Sequence, residues 1–177
     1  MPNQTSAIRP GKWIYFAHGK ESGPWGKKIS RLADSARKLG WEVESPDYSH
    51  THNPHERVAQ LLDINPQCNG PLVLVGSSMG AYVAAQACAR LKPAGLFLLA
   101  PALYFPGWDE EPQGCPKLTT VVHGWDDDIV PLDAAIRFSK PRKAALHVLD
   151  SGHTLNDQLP ALERLFTDFL QQVEAAS

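Results

Sequence analysis

No apolar run in this 177-residue chain approaches the roughly 18 residues needed to span a bilayer. The longest, Pro71–Val75 and Gly95–Ala100, have the length of buried strands, so no membrane span is expected. Cysteine is scarce: Cys68, Cys88 and Cys115 stand far apart, odd in number and without a C-x-x-C pair, which argues against a disulfide framework or a zinc knuckle. An excess of one charge is also missing. Lys+Arg 17 against Asp+Glu 19 leaves a formal net charge of −2, with no basic stripe for phosphates, so nucleic acid is not an expected partner. Fifteen prolines and thirteen glycines stay below the roughly 25–30% that marks low complexity. The N-terminus lacks the apolar segment of a signal peptide, and the expectation is a reduced, cytoplasmic protein. Neither repeat nor linker divides the chain, which reads as one domain over residues 1–177 with residues 1–11 ragged.

What is present is a regular alternation. Trp13–Ala17, Trp41–Ser45, Pro71–Val75, Gly95–Ala100, Leu118–Val122 and Ala145–Leu149 read as six short strands. Between and after them, Trp25–Leu39, Pro54–Ile64, Met79–Leu91, Pro131–Phe138 and Pro160–Val173 carry helical spacing; the last is the most amphipathic, with Leu162, Leu165, Phe166, Phe169, Leu170 and Val173 on one face. Strands separated by helices imply right-handed parallel crossovers, hence an α/β three-layer sandwich around a mostly parallel six-stranded sheet. The expected strand order is second, first, third, fourth, fifth, sixth. Such sheets bind ligands outside the carboxyl ends of their strands, which is where chemistry should be sought.

At the end of the third strand stands Gly76-Ser77-Ser78-Met79-Gly80, a G-x-S-x-G between strand and helix. Only Ser78 fits the frame. The pattern arises by chance about 0.06 times in a chain of this length. A phosphate-cradling loop is the rival reading, but neither G-x-G-x-x-G nor G-K-[ST] supports it. A serine hydroxyl is a weak nucleophile until a base oriented by a third group removes its proton. Candidates follow in the order acid, then histidine: His123-Gly124-Trp125-Asp126-Asp127-Asp128-Ile129-Val130-Pro131 after the fifth strand, and Asp150-Ser151-Gly152-His153 after the sixth.

With these three segments the chain resembles the α/β-hydrolase superfamily, in particular its small esterase- and thioesterase-like members without a cap. The resemblance runs from about Trp13 to Val173. It implies a reduced α/β-hydrolase fold, with no room for further strands before Trp13 and no cap between Pro101 and Leu118. Aligned on the family pattern H-G-x-x-D-x-x-V-P, the acid falls on Asp127 and the base on His153. Asp126, Asp128 and Asp150 stay open as alternatives for the acid. The oxyanion-hole amides implied are those of Met79, after the nucleophile, and Lys20, in His18-Gly19-Lys20 after the first strand.

The implied activity is hydrolysis of a small ester or thioester through an acyl-enzyme, with a small-molecule acyl substrate as partner. The alternatives are cleavage of an amide, peptide or carbon–carbon bond by the same residues, or a non-catalytic binding protein on the same fold. Tyr104, Phe105 and Trp108 are candidate pocket walls, in what should be a shallow, open cleft. His18 and His123 are expected to tie up loop backbone, and His147 to lie within the last strand. His50, His52 and His55, or the Asp126–Asp128 run with His123 and His153, are where a metal could sit. The nucleophile–acid–base order favours the orienting role for the acids, and no metal or organic cofactor is expected. No signal of oligomeric state is found.

Overall fold

The computed structural model describes residues 7–177. Six strands, β1 (Trp13–Ala17), β2 (Glu42–Glu44), β3 (Leu72–Ser77), β4 (Gly95–Leu99), β5 (Thr119–Gly124) and β6 (Ala145–Leu149), form one sheet in the order β2-β1-β3-β4-β5-β6. Every neighbouring pair is parallel. The helices are α1 (Lys27–Lys38), α2 (Pro54–Ile64), α3 (Met79–Leu91), α4 (Leu132–Arg142) and α5 (Leu159–Ala176). Of the N-terminal stretch read as ragged, residues 1–6 lie outside the described residues, whereas Arg9 bridges to Cys68 and Gly11 accepts from the Gly70 amide at 3.0 Å.

Alternation along each strand builds two cores. Ile14, Phe16, Val73, Val75, Phe97 and Leu99 face α1 and α5, meeting Ile29, Leu32, Leu162, Phe166, Phe169 and Val173. Their neighbours Tyr15, Ala17, Leu72, Leu74, Leu96 and Leu98 face the other way, meeting Leu61, Tyr82, Ala84, Ala135 and Phe138 of α2, α3 and α4. Phe97 anchors the first core, with ring centroids 5.0 Å from Phe166 and 5.3 Å from Phe169.

Element ends shift by a few residues from those expected. β3 continues through Gly76 and Ser77, because both pair with Leu98 and Leu99 of β4. α4 runs past Phe138 to Arg142 with Pro141 in its last turn. His147 lies on the edge strand β6 and is half-buried. Only a loop joins β4 to β5, so no cap covers the sheet's carboxyl edge.

Parallel strands bring the loops after β1, β3, β5 and β6 to that one edge. Two glycines set how tightly they meet. A Cβ on Gly76 would lie 2.3 Å from the Gly80 carbonyl oxygen, and one on Gly80 would lie 1.9 Å from that of Ala17. Both contacts are with backbone, which cannot swing aside. Gly80→Ala is therefore expected to cost at least about 3 kcal/mol in urea unfolding, beyond ordinary overpacking. Gly23→Ala, where a Cβ meets nothing within 4 Å, should change stability by less than about 0.5 kcal/mol.

Candidate active site

The turn from β3 into α3 forces Ser78 to φ 56° and ψ −119°, a region that side-chain-bearing residues seldom occupy. Strain of this kind costs on the order of 1–3 kcal/mol and persists only where neighbours hold it. The neighbours here are specific. The Ser78 amide donates to the Leu99 carbonyl at 2.9 Å, and the Ser78 carbonyl accepts from the amides of Ala81 at 3.0 Å and Ala102 at 3.1 Å. The turn lifts Oγ off the sheet edge, in front of the N-terminus of α3, whose first amide, on Met79, has no intrahelical acceptor.

Ser78 Oγ lies 2.9 Å from His153 Nε2. On the far side of the ring, His153 Nδ1 lies 2.8 Å from Asp127 Oδ2. An ionised carboxylate only accepts, so Nδ1 carries the proton and Nε2 offers its lone pair to the serine hydroxyl. Asp127 is itself held: Oδ1 accepts from the Ile129 amide at 2.9 Å and the Val130 amide at 2.8 Å, and its side chain is only 1% exposed. His123, fully buried, donates from Nε2 to the Val130 carbonyl at 2.9 Å and closes the same loop, as expected for a backbone-tying role. Asp126, Asp128 and Asp150 are exposed, and none of them bonds His153.

The loop that carries His153 is seated by backbone contact. A Cβ on Gly124 would lie 2.3 Å from the Ser151 carbonyl oxygen, and the Asp126 amide donates to that oxygen at 3.0 Å. On the other side of Ser78, Gly19 approaches so closely that its Cβ position is 3.5 Å from Ser78 Cβ. His18, buried beside it, donates from Nδ1 to the Gly19 carbonyl at 2.8 Å and accepts the Tyr48 amide on Nε2 at 2.9 Å. Burial holds its pKa below the ordinary value, which fits this neutral tautomer.

A family model described as the alpha/beta hydrolase family matches residues 14–173. The chain belongs to that family.

Among solved structures, a Xanthomonas campestris pv. campestris protein described as a hydrolase of the alpha/beta superfamily is 33% identical to this hydrolase, with a TM-score of 0.82 over 92% of this chain and 99% of its own. A Xanthomonas campestris protein described as a serine hydrolase without lid is 23% identical (TM-score 0.68; 97% of this chain, 85% of that one). Est1E from Butyrivibrio proteoclasticus is 17% identical (TM-score 0.76; 98% and 91%). These last two likenesses are of fold. No curated protein matches the chain.

Around the hydrolase's carboxyl edge the aromatic loop divides. Tyr104 and Phe105, with Leu103, Pro131, Asp133, Ala134 and Arg137, line a cavity of about 320 Å³. Trp108 does not line it; it stacks on Phe105 at 5.0 Å and meets the Tyr82 ring edge-on at 5.3 Å, packing the loop onto α3. His55 serves the same packing, with Nε2 2.9 Å from the Gly107 carbonyl. His50 and His52 are exposed, and among the described residues no three His, Cys, Asp or Glu side chains converge as a metal would require. No described helix is long and apolar enough to cross a membrane.

Two cations escape the motif reading. Lys28, in the first turn of α1, donates to the Thr154 carbonyl at 2.5 Å and so holds the residue after His153. Arg57 is completely buried on α2, one turn before Leu61. Its sequence signal is an arginine four residues from an apolar one on a face that packs inward. Burial pulls the Lys28 amine down to about 8, against the upward pull of the Asp127 carboxylate. The unfolded amine titrates near 10.5, so between about pH 8 and 10.5 the unfolded chain binds more protons, and the Lys28 contribution to stability rises with pH. In urea titrations across that interval, wild type should gain on Lys28→Met as pH increases; a constant or shrinking difference would count against this assignment.

Proposed function

We propose that this protein is a serine hydrolase that cleaves a small ester or thioester through an acyl-enzyme. The observation that carries the reading is the unbroken path from Ser78 Oγ to His153 Nε2 at 2.9 Å and from His153 Nδ1 to Asp127 at 2.8 Å. In this reading Ser78 Oγ attacks the acyl carbonyl as His153 takes its proton. Asp127, fixed by two backbone amides, keeps the imidazole in the accepting tautomer and steadies the imidazolium that forms. The amides of Met79 and Lys20 receive the developing oxyanion, each such donor being worth about 10²–10³ in kcat. His153 then returns its proton to the leaving oxygen or sulfur, and water attacks the acyl-serine by the same route in reverse.

The substrate is a small molecule with a modest acyl group. At about 320 Å³, the cavity beside Tyr104 and Phe105 is near the low end of the roughly 300–1,000 Å³ usual for ligand sites. Its walls adjoin the residues that hold the site: Leu103 follows Ala102, which bonds Ser78, and Pro131 follows Val130, which bonds Asp127.

Steady-state kinetics on p-nitrophenyl acyl esters, acyl thioesters and aminoacyl amides test the proposal. Short-chain esters or thioesters should be the best substrates. Ser78→Ala and His153→Ala should each lower kcat by several powers of ten, and the double variant little further, because the groups act as a unit. Asp127→Asn should lose about 10⁴ through the wrong tautomer, with the fold intact. Asp128→Asn, altering an exposed carboxylate, should stay within about twofold. A Ser78→Ala variant that keeps the wild-type rate defeats the proposal.

A further inference from the structure

Arg57 is a fully buried cation with no carboxylate partner within ion-pair distance among the described residues. Burying an uncompensated charge is costly, and such groups are normally paired. What Arg57 has instead is a set of backbone carbonyls. Nε donates to Thr51 O at 2.8 Å, and Nη1 donates to both His18 O and Gly19 O at 3.1 Å. Nη2 is buried with no partner at all. A neutral side chain would hold α2 to the loop with a smaller desolvation cost, so packing alone is a poor account of this residue.

Of these carbonyls, that of Gly19 gathers further donors and lies beside Ser78. It accepts from His18 Nδ1 at 2.8 Å, from Arg57 Nη1 at 3.1 Å and from Ser22 Oγ at 3.4 Å. That oxygen and the Lys20 N–H belong to one peptide group. Described peptide bonds are all trans, so the two bonds point in opposite directions, and fixing the oxygen toward Arg57 fixes the N–H away from it. Gly19 lies against Ser78, with its Cβ position 3.5 Å from Ser78 Cβ. Drawing electron density onto the carbonyl oxygen also strengthens the N–H at the other end of the same amide, because linked hydrogen bonds polarise one another.

We propose that Arg57 is a positioning residue that orients and polarises the peptide between Gly19 and Lys20, making the Lys20 amide a stronger oxyanion donor. This rests on the serine-hydrolase reading of the same site. It gives the buried guanidinium a role in the transition state: the positive charge reaches the oxyanion through one peptide bond, with no contact to substrate. The neutral His18 ring shares the work by holding the same oxygen, and the Tyr48 amide on its Nε2 keeps the proton on Nδ1.

Two readouts test the proposal, one of them independent of turnover. In ¹H–¹⁵N spectra of the free protein, the Lys20 amide proton should lie downfield of its random-coil position, move upfield in Arg57→Gln, and fall between the two in Arg57→Lys, which keeps the cation but not the fork. With p-nitrophenyl acetate, Arg57→Gln should lower kcat about 10–100-fold with KM nearly unchanged, part of the loss of one oxyanion donor, and Arg57→Lys should recover part of it. If Arg57→Gln does not fold, the wild-type resonance and Arg57→Lys carry the test. A wild-type Lys20 amide at its random-coil position, one that does not move in a folded Arg57 variant, or a folded variant that changes KM alone or leaves kcat at the wild-type value overturns it. Activity surviving in Ser78→Ala would defeat the nucleophile assignment instead, and the Lys20 resonance would still decide the role of Arg57.

Discussion

The site depends on three backbones crossing at contact distance under Ser78. Gly80, in the first turn of α3, sits where a single methyl would reach 1.9 Å from the Ala17 carbonyl oxygen and 2.7 Å from that of His18. That crowding presses the start of α3 onto the end of β1. It places the loop beginning at His18 beside the serine whatever side chains that loop carries. The strain at Ser78 is the counterpart: a positive φ held by the Leu99, Ala81 and Ala102 backbone keeps the hydroxyl clear of the sheet.

Two further loops are brought in by the same principle, that of backbone locked to backbone. β5 and β6 pair through Gly124 and Leu149, so the segments that follow them leave the sheet side by side. Gly124 meets Ser151 at contact distance, and the Asp127 carboxylate is caged by the amides of Ile129 and Val130. Lys28 reaches from α1 to hold Thr154, and Arg57 reaches from α2 to hold His18 and Gly19. The two helices lie on opposite faces of the sheet, so each face contributes a cation that steadies one loop of the site.

Much of this was legible in the residues. Short continuous apolar runs and a period of 3.6 separate strands from helices here, because β3 and β4 are apolar on both faces and α5 has one clean apolar stripe. The strand order follows from right-handed crossovers, and the spacing from Gly76 to Gly80 reports a steric requirement that the backbone contacts explain. Asp127 could be picked from three consecutive aspartates only through the resemblance, since no local pattern says which carboxylate faces inward. Lys28 and Arg57 were missed because a charged residue near a helix start, or on a short helix, reads as solvated surface. Their partners are backbone carbonyls, which leave no trace in composition. By sequence Trp108 is as good a pocket wall as Tyr104 and Phe105, yet its stacking on Phe105 is a tertiary fact that loop sequence does not encode.

In the proposed acyl-enzyme chemistry Ser78 is the covalent centre. The most direct measurement is mass spectrometric mapping of the protein after reaction with a fluorophosphonate, which phosphonylates a serine activated by an adjacent base. One adduct per chain is expected, on Ser78 and not on its neighbour Ser77, and none in Ser78→Ala. An adduct on another residue, or a wild-type protein that hydrolyses acyl substrates while Ser78 stays unlabelled, would contradict it.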